Sequence, residues 1–246
     1  MIRFDDRSLV VVGGGSGLGW AASELAVGLG AKVTVVDVNP ATADAVVRLG
    51  SAARFATADA TDPDAVERMF AAAVAAQGGL DSVFVTVGGA KLGPLAEMDL
   101  DTWKAEIDFN LTSAYVVCRA ALPHLKPSGR GAIVTTSSGY GSMPGPDRVA
   151  YTAAKAGVMA FTRSFAAVAA PDRVRVNCIA PGPIDTPRFR AMNGGDAGVE
   201  RVRKNMPLGT IPQPVEIARV AIFLLSEAAS QITGQVIHVN GGLLMP

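Results

Sequence analysis

Five glycines stand among seven consecutive residues near the start of the chain, in the run Gly13-Gly14-Gly15-Ser16-Gly17-Leu18-Gly19. The run follows a short apolar segment, which predicts a strand over 8–12, a tight turn and a helix over 17–29. A second predicted strand over 32–37 completes a βαβ unit. Glycines let the backbone approach a dinucleotide's diphosphate, and the free N–H groups at a helix start attract its charge. A tight turn that binds nothing is the alternative reading of the same glycines.

Asp37 ends the second predicted strand, twenty residues beyond Gly17. A carboxylate in this place accepts hydrogen bonds from the adenosine ribose of NAD and repels the 2′-phosphate of NADP. Neither the glycine run nor Val38 and Asn39 supplies a basic side chain that would attract that phosphate. The sequence therefore predicts NAD rather than NADP, with a solvated strand-end acid as the alternative. Asp59, after the third predicted strand, is a candidate for the adenine side or a turn residue.

The rest of the chain alternates strand-like and helix-like segments, and no linker divides it. The pattern predicts a single α/β domain over residues 1–246: a Rossmann-type three-layer sandwich with an open seven-stranded parallel sheet and helices on both faces. The predicted strands are 8–12, 32–37, 53–58, 82–87, 131–136, 173–179 and 236–239, and the predicted helices are 17–29, 41–49, 63–76, 99–125, 149–169 and 214–226. The glycine-containing stretch 187–212 is expected to be a mobile lid over the ligand crevice, and it should determine substrate specificity together with segments 88–94 and 139–148.

Charge and cysteine usage narrow the expected partners. Lys plus Arg and Asp plus Glu are balanced at 22 each, which removes the basic surface typical of proteins that bind nucleic acid or anionic membranes. Cys118 and Cys178 are expected to be buried and reduced, and neither they nor His124 and His238 match a metal site. We expect a small-molecule partner, no metal, and, since no secretion signal or membrane span is apparent, a cytoplasmic location.

Tyr151 and Lys155 stand four residues apart on a predicted helix, so both side chains project from one face. A phenol with a pKa of about 10 transfers protons poorly at neutral pH, and a nearby ammonium lowers that pKa. Ser138, just past the preceding predicted strand, could donate a hydrogen bond to a substrate oxygen. A Tyr-x-x-x-Lys pair alone is typical of a helix surface. Its combination with Ser138 and the glycine run is far rarer.

With these residues the chain resembles the short-chain dehydrogenase/reductase family, in the branch of similar length, over essentially its whole extent. The resemblance implies an NAD-dependent oxidoreductase acting on a small secondary alcohol or ketone, in which Tyr151 is the acid/base, Lys155 holds the nicotinamide ribose, and Ser138 orients the substrate oxygen. It implies that Asn110 interrupts a helix and helps relay the proton. It also implies a homotetramer, or a homodimer. The residues implied to bind the cofactor are Gly13, Ser16, Gly17, Leu18, Gly19, Asp37, Asp59, Gly88, Tyr151, Lys155, Pro181, Gly182, Ile184 and Thr186.

The chain departs from the family's pattern at three places. Val12 stands where threonine is usual, Thr86-Val87-Gly88-Gly89 replaces Asn-Asn-Ala-Gly, and Asn240 replaces an aspartate. We expect the first two changes to remove side chains that brace the central strands. Two alternative functions remain open, namely reduction of 3-oxoacyl thioesters and NAD binding by a regulatory protein without turnover.

Three arginines and three methionines are candidates for the substrate site. Arg148, Arg188 and Arg190 could bind an anionic substrate group, although solvated or paired surface arginines are the preferred interpretation. Met143, Met192 and Met206 suit an apolar pocket. The sequence leaves the substrate open.

Overall fold

In the computed structural model, which describes residues 2–246, seven strands form one parallel sheet. The strands are β1 Ser8–Val12, β2 Lys32–Asp37, β3 Ala53–Thr57, β4 Ser82–Val85, β5 Ala132–Thr136, β6 Arg175–Pro181 and β7 Val236–Val239. Their order across the sheet is β3-β2-β1-β4-β5-β6-β7. The predicted open sheet with helices on both faces is confirmed. Strand order reverses between β1 and β4, where the loops at the carboxyl ends diverge and leave a crevice for a ligand.

Helices cover the sheet on both sides because alternate strand residues face opposite layers. The α-helices are α1 Gly17–Gly28, α2 Thr42–Val47, α3 Pro63–Gln77, α4 Leu100–Ile107, α5 Ser113–Leu125, α6 Val149–Ala169, α7 Pro187–Met192, α8 Asp196–Arg203 and α9 Pro214–Leu225. Val10 and Val12 belong to a core with α3, α5 and α6, whereas Leu9 and Val11 belong to a second core with α1 and α9. No helix within residues 2–246 is both long and apolar enough to cross a membrane.

The segment predicted as one helix over 99–125 is interrupted by a π-helical turn at Asp108–Thr112. The side-chain Nδ2 of Asn110 donates to the carbonyl of Glu106 at 3.0 Å. That carbonyl is the one an α-helix would offer to the backbone N–H of residue 110, so the side chain competes with regular helical bonding. The prediction of an unbroken helix was therefore wrong, while the interruption implied at Asn110 is present.

The stretch 187–212 contains two helices that the sequence analysis did not predict. Thr186 caps α7 by accepting a hydrogen bond from the N–H of Phe189, and a proline follows the cap, both of which are ordinary helix-start signals. Arg190 joins the start of this stretch to α8, because its guanidinium binds Asp185 at 2.6 Å and Asp196 at 2.6 Å. Strand β6 also runs two residues further than predicted, to Pro181.

Candidate active site

Two adjoining cavities lie at the carboxyl ends of the strands. The first has a volume of about 490 Å³ and is lined by the loops after β5 and β6 and by α7. The second, of about 600 Å³, is lined by the glycine turn, Asp37 and the residues after β3. The two share Gly88, Thr186 and Arg188. Together they offer space for a dinucleotide with a substrate beside one end.

The glycine turn is held by the carboxylate of Asp37. Its Oδ2 accepts a hydrogen bond from the N–H of Gly15 at 2.9 Å, and its Oδ1 accepts from Asn39 at 3.0 Å. A Cβ at Gly15 would lie 2.5 Å from Oδ2, so a side chain there would displace the carboxylate. Each carboxylate oxygen retains a free lone pair, which leaves Asp37 able to accept ribose hydroxyls in the second cavity.

Thr86 supplies the bracing that Val12 cannot. Its Oγ1 lies 3.0 Å from the carbonyl of Val12 and 2.8 Å from that of Gly13, so its single hydrogen is shared between the two carbonyls. The hydroxyl thus comes from β4's side of the crevice rather than from β1. The expectation that bracing of these central strands is lost was wrong. Thr86 is itself a departure from the family's pattern, and its hydroxyl bonds the backbone that a residue at position 12 would otherwise brace.

The remaining predicted adenosine-side residues line the second cavity. Ser16, the N-cap residue of α1, is exposed and makes no side-chain capping bond, so its hydroxyl faces the cavity without an intramolecular partner. Asp59 is exposed and accepts from the N–H and hydroxyl of Thr61 at 2.8 and 2.7 Å, so its turn role is real whether or not it also contacts a ligand. The predicted residues found in this lining are Gly13, Ser16, Gly17, Leu18, Gly19, Asp37, Asp59, Gly88 and Thr186.

Ser138 and Tyr151 line the first cavity. Ser138 is fixed by a hydrogen bond that its Oγ accepts from the N–H of Tyr140 at 3.2 Å. Lys155 lies beneath Tyr151, with Nζ 5.7 Å from the ring centroid, and donates to the carbonyl of Thr136 at 3.0 Å. Of the residues implied near nicotinamide, Gly88, Pro181, Gly182, Ile184 and Thr186 line this cavity.

Burial dominates the titration of both catalytic candidates on α6. Desolvation lowers the pKa of Lys155 to about 8 and raises the pKa of the Tyr151 phenol above its usual value. A hydrogen bond with Ser138, and then the charges of Arg148 and Arg188, lower the pKa of Tyr151 in opposition. The expected lowering of the phenol pKa by its lysine neighbour is therefore not the dominant effect here.

Asn110 and Gly88 complete the arrangement around Lys155. Asn110 is 1% exposed; its Oδ1 accepts from the N–H of Gly89 at 2.9 Å and its Nδ2 donates to the carbonyl of Gly89 at 3.0 Å. A Cβ at Gly88 would lie 2.5 Å from Lys155 Nζ and 2.7 Å from Asn110 Oδ1, and its φ is +145°. Only glycine lets the loop after β4 pass this close to both side chains.

The three candidate arginines differ in their partners. Arg148 is bound by Asp147 through two contacts of 2.8 Å, and Arg190 by Asp185 and Asp196. The preferred interpretation of paired arginines therefore holds for these two. Arg188 instead donates to the carbonyl of Ala90 at 3.1 Å.

Some substrate-cavity residues were not predicted, and one predicted residue lies elsewhere. Met143 and Met192 line the first cavity as expected. Met206 is buried beneath Gly241 rather than lining it. Leu92, Tyr140, Phe189 and Asn193 also line it and lie within the predicted specificity segments 88–94, 139–148 and 187–212. The sequence analysis missed Leu243 and Leu244, which follow the last strand and which no pattern in the sequence links to the other segments.

Side chains that could bind a metal ion do not cluster in the described part of the chain. Among residues 2–246, no group of three or more His, Cys, Asp or Glu side chains is placed to hold a metal ion. Cys118 and Cys178 are buried free thiols, and burial raises the pKa of each. The expectation that both are buried and reduced is confirmed, and the raised pKa keeps each as a neutral thiol.

The chain is similar to known proteins over nearly its whole length. A family model described as enoyl-(acyl carrier protein) reductase matches residues 13–244. The chain is 35% identical over 246 residues to the 2,5-dichloro-2,5-cyclohexadiene-1,4-diol dehydrogenase of Sphingobium indicum, with 98% of each covered. It is 36% identical over 243 residues to the cis-4-hydroxycyclohexanecarboxylate dehydrogenase of Sinomonas cyclohexanicum, with 97% of each covered. A solved short-chain type dehydrogenase/reductase from Mycobacterium ulcerans superposes with a TM-score of 0.93 at 33% identity, covering 98% of this chain and 91% of that one.

Proposed function

The chain belongs to the short-chain dehydrogenase/reductase family, and we propose that it interconverts a small cyclic secondary alcohol and its ketone with NAD. The observation that supports this proposal is that Ser138 and Tyr151 line a largely apolar cavity, with Lys155 Nζ 5.7 Å from the Tyr151 ring, and that this cavity adjoins a nucleotide-sized one. Members of this family act as oxidoreductases. Tyr151 as acid/base is our inference for this chain.

The side chains divide the work of proton transfer. Bound NAD would supply the ring carbon that accepts hydride, and Lys155 would hold its ribose. Ser138 holds the substrate hydroxyl, and Tyr151 removes its proton when it is a phenolate. Asn110 would hold a water molecule that takes this proton from Tyr151 and passes it to solvent. Reduction of the ketone uses the same groups, with Tyr151 donating.

The preference for NAD rests on Asp37. The one basic residue that lines the second cavity is Arg188, and its guanidinium lies against Gly89 and Ala90 rather than Asp37. A 2′-phosphate placed against Asp37 meets an uncompensated negative charge. Asp37→Ala should lower the ratio of the NADP dissociation constant to the NAD dissociation constant. Calorimetry measures both constants without turnover. An unchanged ratio would show that the carboxylate does not select the cofactor.

A ring-shaped substrate is supported by two relatives. The Sphingobium and Sinomonas enzymes are named for hydroxyl groups on six-membered carbocycles. The apolar wall of the first cavity, which includes Leu92, Phe189 and Leu243, suits such a ring. Residues 187–212 are then a lid that closes over it.

Reduction of 3-oxoacyl thioesters is the second candidate function, because the chain is also 35% identical over 243 residues to a 3-oxoacyl-[acyl-carrier-protein] reductase of Chlamydia muridarum, with 97% of each covered. An enzyme of that kind would turn over acetoacetyl thioesters faster than cyclic ketones. The non-catalytic alternative is disfavoured, since Asn110, Ser138, Tyr151 and Lys155 are all present.

We also propose that the chain works in the cytoplasm as a homotetramer, with contacts through α5 and α6. Tyr115 and Val168 are 47% and 61% exposed on these helices. Tyr115 packs edge-on against Phe161, and Phe161 stacks on Phe165 at 5.3 Å. Exposed apolar and aromatic side chains on neighbouring helices are typical of a subunit contact. Light scattering should give four copies per particle, or two for a dimer.

The decisive experiment follows NADH formation with cyclohexanol, cyclohexane-1,2-diol and 4-hydroxycyclohexanecarboxylate. We expect NAD-dependent oxidation that falls by about 10²- to 10⁴-fold in Tyr151→Phe, the usual contribution of a general acid/base. Tyr115→Phe removes the same hydroxyl from an exposed tyrosine and should retain activity. Equal rates in the wild type and Tyr151→Phe would refute the assignment.

A further inference from the structure

The first cavity carries positive charge that no acid in its wall balances. Arg148 and Arg188 are its only charged lining residues in the described part of the chain. Much of the remaining wall is apolar, including Met143, Ile184 and Phe189. Such a cavity favours a ligand with an apolar body and a negative group.

Arg148 is already neutralised within the protein. Its Nε and Nη2 donate to the two carboxylate oxygens of Asp147, each at 2.8 Å, and its guanidinium lies 4.3 Å from the ring centroid of Tyr140. This bidentate geometry uses the face that would bind a carboxylate. The charge available to a ligand is therefore that of the other arginine.

Arg188 is exposed and has a carbonyl as its protein partner. Its Nη2 donates to Ala90, and within residues 2–246 no carboxylate oxygen lies within 4.0 Å of its guanidinium. A Cβ at Gly89 would lie 2.6 and 2.7 Å from Nη1 and Nη2, so the guanidinium rests against bare backbone. A guanidinium has five N–H donors, and most of those of Arg188 stay free.

We propose that Arg188 binds a carboxylate of the substrate, which makes the substrates hydroxy acids and keto acids whose two functional groups are separated by an apolar ring. The inference rests on the proposed function and adds the anionic group to it. The positive charge of Arg188 also lowers the pKa of Tyr151, which places the guanidinium within electrostatic reach of the reacting oxygen. The carboxylate of the substrate would bind Arg188, and the carbon that bears its hydroxyl group would lie at Tyr151.

The competing ligand for Arg188 is the cofactor's diphosphate, because the arginine also lines the second cavity. Two observations favour the substrate. The contacts of the guanidinium are with Gly89 and Ala90, which line the first cavity and not the second. The glycine turn and the start of α1 already offer backbone N–H groups for a diphosphate.

The test uses binding rather than turnover. Calorimetry measures the affinity of the enzyme–NADH complex for cyclohexanecarboxylate and for cyclohexanecarboxamide, which share a ring and differ in charge. The variants are Arg188→Met, Arg188→Lys and the control Arg201→Met, which removes the same charge from an exposed α8 residue outside both cavity walls. NADH affinity is measured for each variant.

We expect Arg188→Met to weaken carboxylate binding about 10- to 100-fold, the usual loss for a charge-assisted hydrogen bond. Amide and NADH affinities should hold within about threefold, and Arg188→Lys should restore part of the loss because lysine lacks the bidentate fork. Weaker NADH binding with equal losses for both probes would assign Arg188 to the diphosphate and overturn the proposal. Unchanged carboxylate binding would also overturn it.

The outcome is separable from that of the proposed function. Selective carboxylate binding in a protein that oxidises none of the cyclic alcohols would uphold the anion site and refute the dehydrogenase assignment. Oxidation of neutral alcohols, with carboxylate binding indifferent to Arg188, would do the reverse.

Discussion

Lys155 should destabilise the folded chain at neutral pH. Its side chain is 3% exposed, and burial lowers its pKa from 10.5 to about 8. At about 1.4 kcal/mol for each pKa unit, that difference costs about 3 kcal/mol when the amine is charged in both states. The unfolded chain binds the proton more tightly, so this cost is complete below pH 8 and disappears as the pH rises toward 10.5.

Lys155→Met removes the charge while keeping a side chain of similar length. The variant also leaves the Thr136 carbonyl without its ammonium donor, which costs about 1–3 kcal/mol at every pH. The absolute stability change therefore mixes two effects of opposite sign. Its pH dependence isolates the charge, because the other groups that titrate between pH 7 and pH 10 are common to both proteins and cancel in the difference.

The assay is urea unfolding of both proteins at one protein concentration, followed by circular dichroism at several pH values. The free energy of unfolding of the variant minus that of the wild type should fall by about 2–3 kcal/mol from pH 7 to pH 10. Lys104→Met, at an exposed lysine paired with Asp101 at 3.7 Å, should show a difference that stays flat. A flat difference for Lys155→Met would mean that the ammonium is not desolvated, and the reasoning would fail.

Two further substitutions test the loop after β4 and its contact with the glycine turn. Gly88→Ala puts a Cβ 2.5 Å from Lys155 Nζ at a φ of +145°. We therefore expect the free energy of unfolding to fall by about 1–3 kcal/mol and the rate of oxidation to fall at least about tenfold. Gly93→Ala, with nothing within 4 Å of its Cβ, is the control. Thr86→Val removes the hydroxyl that bonds the carbonyl of Gly13. It should lower the melting temperature by about 2–4 °C, as expected for the loss of one hydrogen bond in a chain of this length. An unchanged melting temperature would show that this hydrogen bond does not contribute to stability.

Local signals predicted the frame of this fold. The glycine run, the apolar strands and the Asp37 spacing are short-range patterns, and β1, β2 and α1 begin at the predicted residues. Asn110 entered only through the family resemblance. Its place in a π-helical turn depends on a side-chain bond to Glu106 that competes with the backbone, which helix periodicity cannot reveal.

The states of the arginines could not be predicted because their partners follow no common spacing. Asp147 precedes Arg148 directly, whereas the acids on Arg190 stand five residues before and six after it. Arg188 has acids nearby in sequence, among them Asp185, but its guanidinium points to Gly89, about a hundred residues earlier. Only the folded chain shows which guanidinium remains free for a ligand.

The same limit applies to the acid/base pair on α6. Spacing places Tyr151 and Lys155 on one face, and it suggests that the ammonium lowers the phenol pKa. Burial instead raises the pKa of Tyr151 and lowers that of Lys155, so the protein makes the phenol the weaker acid of the two. The hydrogen bond with Ser138 and the charges of Arg148 and Arg188 oppose the rise in the pKa of Tyr151 and so favour the phenolate. A carboxylate bound to Arg188 would neutralise one of these charges, which favours the protonated phenol needed for ketone reduction.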